Sequence, residues 1–141
     1  MKRLLMLVFM ISMMSISSAA SMTVSVDDTE AAQGNTVNVP ILVTGAENIG
    51  SIDLVLTYDP AVLQAISADT RELGKNAYLE SNTANEGEIV IALADAGGIN
   101  GDGTVATVSF IVLGEEGTSS QLTLEEVSVH NLDLVELVIT H

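Results

Sequence analysis

The stretch SIDLVLTYDPAVLQAIS spans Ser51 to Ser67, and its period decides the fold. Ile52, Leu54, Leu56 and Tyr58 share one face of a two-residue repeat, and Ser51, Asp53, Val55 and Thr57 share the other. Strand side chains alternate between faces, so this pattern predicts a strand with one face in a core and one in water. Asp59-Pro60 ends it, because proline fixes φ and has no N–H to give to a ladder. Asp53 stands in the middle of the wet face, where a carboxylate serves either solvation or recognition.

Outward from that stretch the same grammar repeats. Short apolar runs predict strands over Met22–Val26, Thr36–Val43, Ser51–Tyr58, Val62–Ser67, Glu88–Ala94, Thr104–Leu113, Gln121–Val129 and Leu132–Thr140, with a weak one near Ala77–Ser81. Between them lie QGN, TGAENIG, YDP, NTANEG, DAGGINGDG and GEEGTSS, all turn-forming compositions. Strands separated by such turns, with no amphipathic helical stretch, indicate an all-β antiparallel sandwich or barrel. Val37, Val39, Ile41 and Val43 are expected inside, as are Ile89, Ile91, Leu93, Ala106, Val108, Phe110 and Val112. Leu122 and Leu124 alternate in one phase and Val127 and Val129 in the other, so a β-bulge is expected at Glu125-Glu126. Leu132 and Leu134 face outward if Val135, Leu137 and Ile139 face in. Val90, Ala92 and Ala94 make a small apolar outward face, suited to packing under a loop or to meeting another protein.

The first 20 residues read as a secretory leader. Lys2 and Arg3 precede an apolar run from Leu4 to about Met14, and Ser18-Ala19-Ala20 provides small residues for cleavage. The run is short against the roughly 20 residues of a spanning helix, although an uncleaved anchor is the alternative. The expected organisation is a signal peptide over residues 1–20 and one domain over residues 21–141, exported from the cell. Two of the four basic residues lie in the leader and none of the nineteen acids do, leaving Arg71 and Lys75 against nineteen acids, a formal charge of −17. Nucleic acid and anionic membranes are poor partners for such a domain, since phosphate recognition needs clustered Lys and Arg. Cysteine is absent, so the fold must hold by packing alone.

Catalytic materials are few. The only histidines are His130 and His141, no Ser/His/Asp arrangement or G-x-S-x-G elbow occurs, and no His/Cys set suits zinc. DAGGINGDG lacks the ligand spacing of an EF-hand loop and reads as a glycine-rich turn. The chain is therefore expected to be no enzyme and to need no cofactor or metal of its own. Aromatic platforms for sugar rings are equally thin. Tyr58 and Phe110 point inward by alternation, leaving Tyr78 alone.

SIDLVLTYDPAVLQAIS, GEIVIALADAGGINGDGTVATVSFIV and LTLEEVSVHNLDLVEL, taken in order, resemble a cohesin module of the cellulosome type, from Met22 to Thr140. The shared pattern is a strand ending Y-D-P-x-V-L, a strand closing on A-D/E-x-x-G, then D-G-x-x-A-x-x-x-F and a D-L-V-E strand. The resemblance implies a jelly-roll sandwich of about nine strands. It also implies a non-catalytic recognition module that binds a calcium-loaded dockerin on one flat sheet face, assembling secreted or cell-surface complexes. Matched to the family, the partner-binding residues are Ser51, Asp53, Ala92, Asp95, Gly98, Leu132, Asp133 and Leu134. Asp53 and Asp95 are the recognition acids, Gly98 allows close approach, and Ala92, Leu132 and Leu134 supply apolar contact. Calcium is expected on the dockerin alone. Two features depart from the family: Ser81-Asn82-Thr83 lies where an aromatic contact is common, and the segment between Ile66 and Gly87 is short. A carbohydrate-binding module or a structural cell-surface sandwich is the alternative function.

Overall fold

The computed structural model describes residues 21–27 and 29–141, so the expected leader lies outside the described residues. Two long strands organise everything else. β2 (Thr36–Thr57) and β5 (Glu88–Val112) pair antiparallel from Thr36↔Ile111 at one end to Thr57↔Glu88 at the other. Each absorbs two of the strands expected from the sequence. TGAENIG and DAGGINGDG, expected as turns between strands, are instead bulged segments within β2 and β5. The reason is visible in β2, where the buried residues Val43, Ala46, Ile49 and Ile52 fall three apart instead of two. Each extra residue shifts the register against β5, and accumulated bulges bend a strand from one layer to the next.

The first half of β2 lies in a layer ordered β1 (Thr23–Val26), β2, β5, β3 (Leu63–Thr70). The second half lies in a layer ordered β4 (Tyr78–Asn82), β5, β2, β6 (Thr123–Asn131), β7 (Glu136–Leu137). Counted by layer, β2 and β5 contribute twice, which gives nine strand segments from seven strands among the described residues. The inner faces of both layers merge into one core in which Ile41, Ile52, Leu54, Leu56, Ile89, Ile91, Leu93 and Phe110 are fully buried. Tyr58 meets Phe110 edge to face with ring centroids 5.1 Å apart, and its hydroxyl accepts the Ala65 N–H. Both aromatics are thus interior, as their alternation indicates. The architecture is an antiparallel β-sandwich. Across it, a 3-10 turn, Glu72–Gly74, covers β5 so closely that a Cβ on Gly74 would collide with the Val105 carbonyl.

The bulge expected at Glu125-Glu126 is present: Val55 pairs with Glu126 and Leu56 with Leu124, leaving Glu125 as the extra residue. The strand expected over Leu132–Thr140 is broken. Asn131 Oδ1 accepts the N–H groups of Asp133 and Val135, closing a tight turn before β7 begins. The turn flips the local pleat, so Val135, expected inside, is exposed, while Leu137 and Ile139 pack against the core. Thr140 then pairs in parallel with Thr23.

Candidate functional site

The outer face of the β4–β5–β2–β6–β7 layer is a grid fixed by backbone register. Its central row runs Glu80, Ala92, Asp53, Ser128 across four strands. The row on one side runs Tyr78, Ala94, Ser51, His130, Glu136, and the row on the other runs Asn82, Val90, Val55, Glu126. Directly opposed side chains across neighbouring strands sit about 5 Å apart, so each row is a contiguous strip. Asp53 is exposed between Ala92 and Ser128, two small neighbours that leave its carboxylate open to anything approaching the sheet. Beside it, a shallow depression between β4 and β5 is lined by Glu80, Ser81, Asn82, Val90 and Ala92.

Three other acids on or beside the face are engaged locally. Tyr78 donates its hydroxyl to Glu80 Oε1 at 2.9 Å, Ser128 donates to Glu136 Oε1 at 3.2 Å, and Thr57 to Glu125 Oε1 at 3.3 Å. The bond to Glu80, and then the negative charge of Glu80, hold the Tyr78 phenol above its ordinary value of 10.0. No Lys or Arg occurs in any strand of the grid. The two described ones, Arg71 and Lys75, flank the 3-10 turn between β3 and β4.

One end of the face rises into an apolar knob. Leu132 donates its N–H to the Asn48 carbonyl, and its side chain lies over two glycines. A Cβ on Gly50 would stand 3.3 Å from Leu132 Cδ2, and one on Gly98 3.1 Å from Leu132 Cδ1. Gly98 also has φ +82°, where an L side chain is strained. Leu134 occupies the turn with φ +63° and is 84% exposed, and Asp133 is exposed between the two leucines. A leucine held in left-handed backbone is strained, and such strain persists where the surrounding structure imposes it.

Of the residues expected from the sequence, Ser51, Asp53 and Ala92 share the grid, and Gly98, Leu132, Asp133 and Leu134 gather at its end. Asp95 does not join them. Alternation places it on the core side of β5, it is 9% exposed, and its Oδ1 accepts the Gly97 N–H at 2.8 Å. Its carboxylate is spent on folding the Asp95–Gly98 excursion that supports Leu132. His130 lies within β6, half-buried and level with Ser51. Glu80, Ser128 and Glu136 were not singled out by sequence reasoning. Their strands are paired with distant ones, and only the register sets them level with Asp53 or Ser51.

The Cohesin domain family model matches residues 22–138. No curated protein sequence matches the chain. Among solved structures, a non-cellulosomal cohesin from the hyperthermophilic archaeon Archaeoglobus fulgidus superposes with TM-score 0.77 at 29% identity, covering 86% of each chain. The sixth cohesin of scaffoldin B from Acetivibrio cellulolyticus, solved in complex with a dockerin, gives TM-score 0.72 at 22% identity, over 85% of this chain and 93% of that one. A type I cohesin–dockerin complex from Clostridium thermocellum gives 0.74 at 17% identity, over 85% and 93%. With the family model matched over nearly all the described residues, this chain belongs to the cohesin family, whose modules are non-catalytic.

Proposed function

We propose that this domain is a dockerin receptor and that the outer face of the β4–β5–β2–β6 layer receives the partner. The observation that carries the reading is Asp53: an exposed carboxylate at the centre of a flat grid, with small neighbours in register on both sides. Charge-assisted hydrogen bonds from partner hydroxyls or cations orient the complex there. Ser51 and Ala92 supply neighbouring contact, while Leu132, Asp133 and Leu134 grip the partner at one end. Gly98 keeps that end close-packed, and Asp95 acts through it by holding the excursion rather than by touching the partner. Calcium belongs to the dockerin, and the N-terminal leader directs the domain out of the cell.

Carbohydrate binding has no comparable support. Tyr78 is the exposed aromatic among the described residues, and its hydroxyl is held by Glu80.

The test is calorimetric titration of residues 21–141 with a panel of dockerins, in calcium and again in EDTA. Saturable one-to-one binding that EDTA abolishes is expected. Asp53→Ala should weaken it by about 1–3 kcal/mol, the range for a hydrogen bond to a charged group, without lowering the melting temperature. Unchanged affinity in that variant would remove Asp53 from the site, and an absence of binding across the panel would refute the receptor assignment.

A further inference from the structure

The grid has a lengthwise order that the single acid Asp53 does not explain. Along β5 the outward residues are Val90, Ala92 and Ala94, an apolar lane of about 13 Å at roughly 3.3 Å per residue. Acids stand on both sides of it. Glu80 on β4 and Asp53 on β2 both pair with Ala92, so the two residues flank the lane on opposite sides, their backbones two strand spacings or about 10 Å apart. An α-helix with its side chains measures about 10–12 Å across. A helix laid along β5 therefore rests its narrow apolar stripe on Val90, Ala92 and Ala94 while its two flanks reach Glu80 and Asp53 together. The lane's length matches about two and a half helical turns.

The charge of the face specifies those flanks. Glu80, Asp53, Glu126 and Glu136 project from a grid with no Lys or Arg in any of its strands. Like charges left without counter-charges favour a partner that supplies them, and such pairs set specificity and on-rate more than bulk affinity. We infer that Glu80 and Asp53 form a two-sided carboxylate clamp astride the β5 lane, selecting a dockerin whose contact helix carries Lys or Arg on both flanks of a small-residue stripe. Glu80 is thereby a second anchor on the opposite side from the apolar knob of Leu132 and Leu134. Tyr78, two residues away on the same strand, hydrogen-bonds that carboxylate and restrains it.

This inference rests on the dockerin reading of the face, and the experiment separates the two. A set of calcium-loaded dockerins, grouped by Lys and Arg content beside the contact stripe, is titrated against the wild-type domain, Glu80→Gln, Asp53→Asn and the double variant, at low and high sodium chloride. Modules with basic flanks on both sides are expected to bind most tightly. Each single neutralisation should weaken them about tenfold, as expected for a charge-assisted contact, and each should flatten the salt dependence. Melting temperatures should not fall, since both acids are exposed. If Asp53→Asn loses affinity while Glu80→Gln binds as wild type with an unchanged salt slope, the clamp is overturned and the receptor assignment stands. If dockerins bind without regard to flanking charge, the clamp is likewise overturned. If none binds, both readings fall.

Discussion

Replacing Leu134 by glycine should separate stability from recognition, because backbone and side chain at this position act in opposite directions. The residue sits at φ +63°, a conformation that costs an L-amino acid about 1–2 kcal/mol and glycine almost nothing. Against that relief stands the larger entropy a glycine loses on folding, about 0.5–1 kcal/mol. The side chain itself is 84% exposed in the free domain. Only about a sixth of a leucine's burial energy is therefore at stake, roughly 0.4 kcal/mol of the ~2.5 kcal/mol for full burial. These contributions nearly cancel, so the fold should change by less than about 1 kcal/mol and the melting temperature by less than about 5 °C. Binding is different. If a partner covers the exposed remainder, its loss removes about 1.5–2 kcal/mol, a ten- to thirtyfold weaker complex. The paired assays are a thermal melt and a calorimetric titration with a bound dockerin. A steep fall in melting temperature would show that Leu134 supports the turn, and an unchanged affinity would show that the partner does not cover it. Either result refutes the argument that this strained leucine is kept for contact.

Asn131→Ala removes the acceptor of two backbone N–H groups, at Asp133 and Val135, and should cost about 1–2 kcal/mol. Hydrogen exchange should show the loss concentrated between Asn131 and β7, with affinity falling alongside as Leu132 and Leu134 lose their placement. Gly74→Ala forces a methyl group against the Val105 carbonyl and should destabilise by more than about 2 kcal/mol in urea unfolding, with no effect specific to the recognition face. Spectrophotometric titration should find Tyr78 ionising above the ordinary range, and Glu80→Gln should bring it back down. Because the folded pKa of Tyr78 is raised, the stabilising contribution of that hydrogen bond is complete below the unfolded value. It disappears as pH rises through the folded one.

Alternation made much of this legible early. Ile52, Leu54, Leu56, Ile89, Ile91, Leu93, Val108 and Phe110 are core residues in the structure because a strand's pleat alone decides which side chains share a face. The phase slip between Leu124 and Val127 likewise announced a bulge, since an odd residue must invert the alternation. The family pattern pointed to Asp53, Ala92 and the Leu132–Leu134 segment, which the structure places on or beside one face.

Other features depended on partners far away in the chain. Asp95 looks like a surface acid in sequence, yet it is turned inward and held by Gly97. Leu132–Thr140 has strand composition throughout, but Asn131 captures two of its N–H groups and breaks it. The joining of β2 and β5 across both layers follows from bulges at glycine-rich segments, which local composition cannot distinguish from turns. The opposition of Glu80 to Asp53 exists only through Ala92, which pairs with both. Along β2 and β5, local stereochemistry settles most of the choice between core and solvent before any partner strand is known. Which of the outward residues stand together is a matter of register, set by hydrogen bonds between segments that the chain keeps far apart.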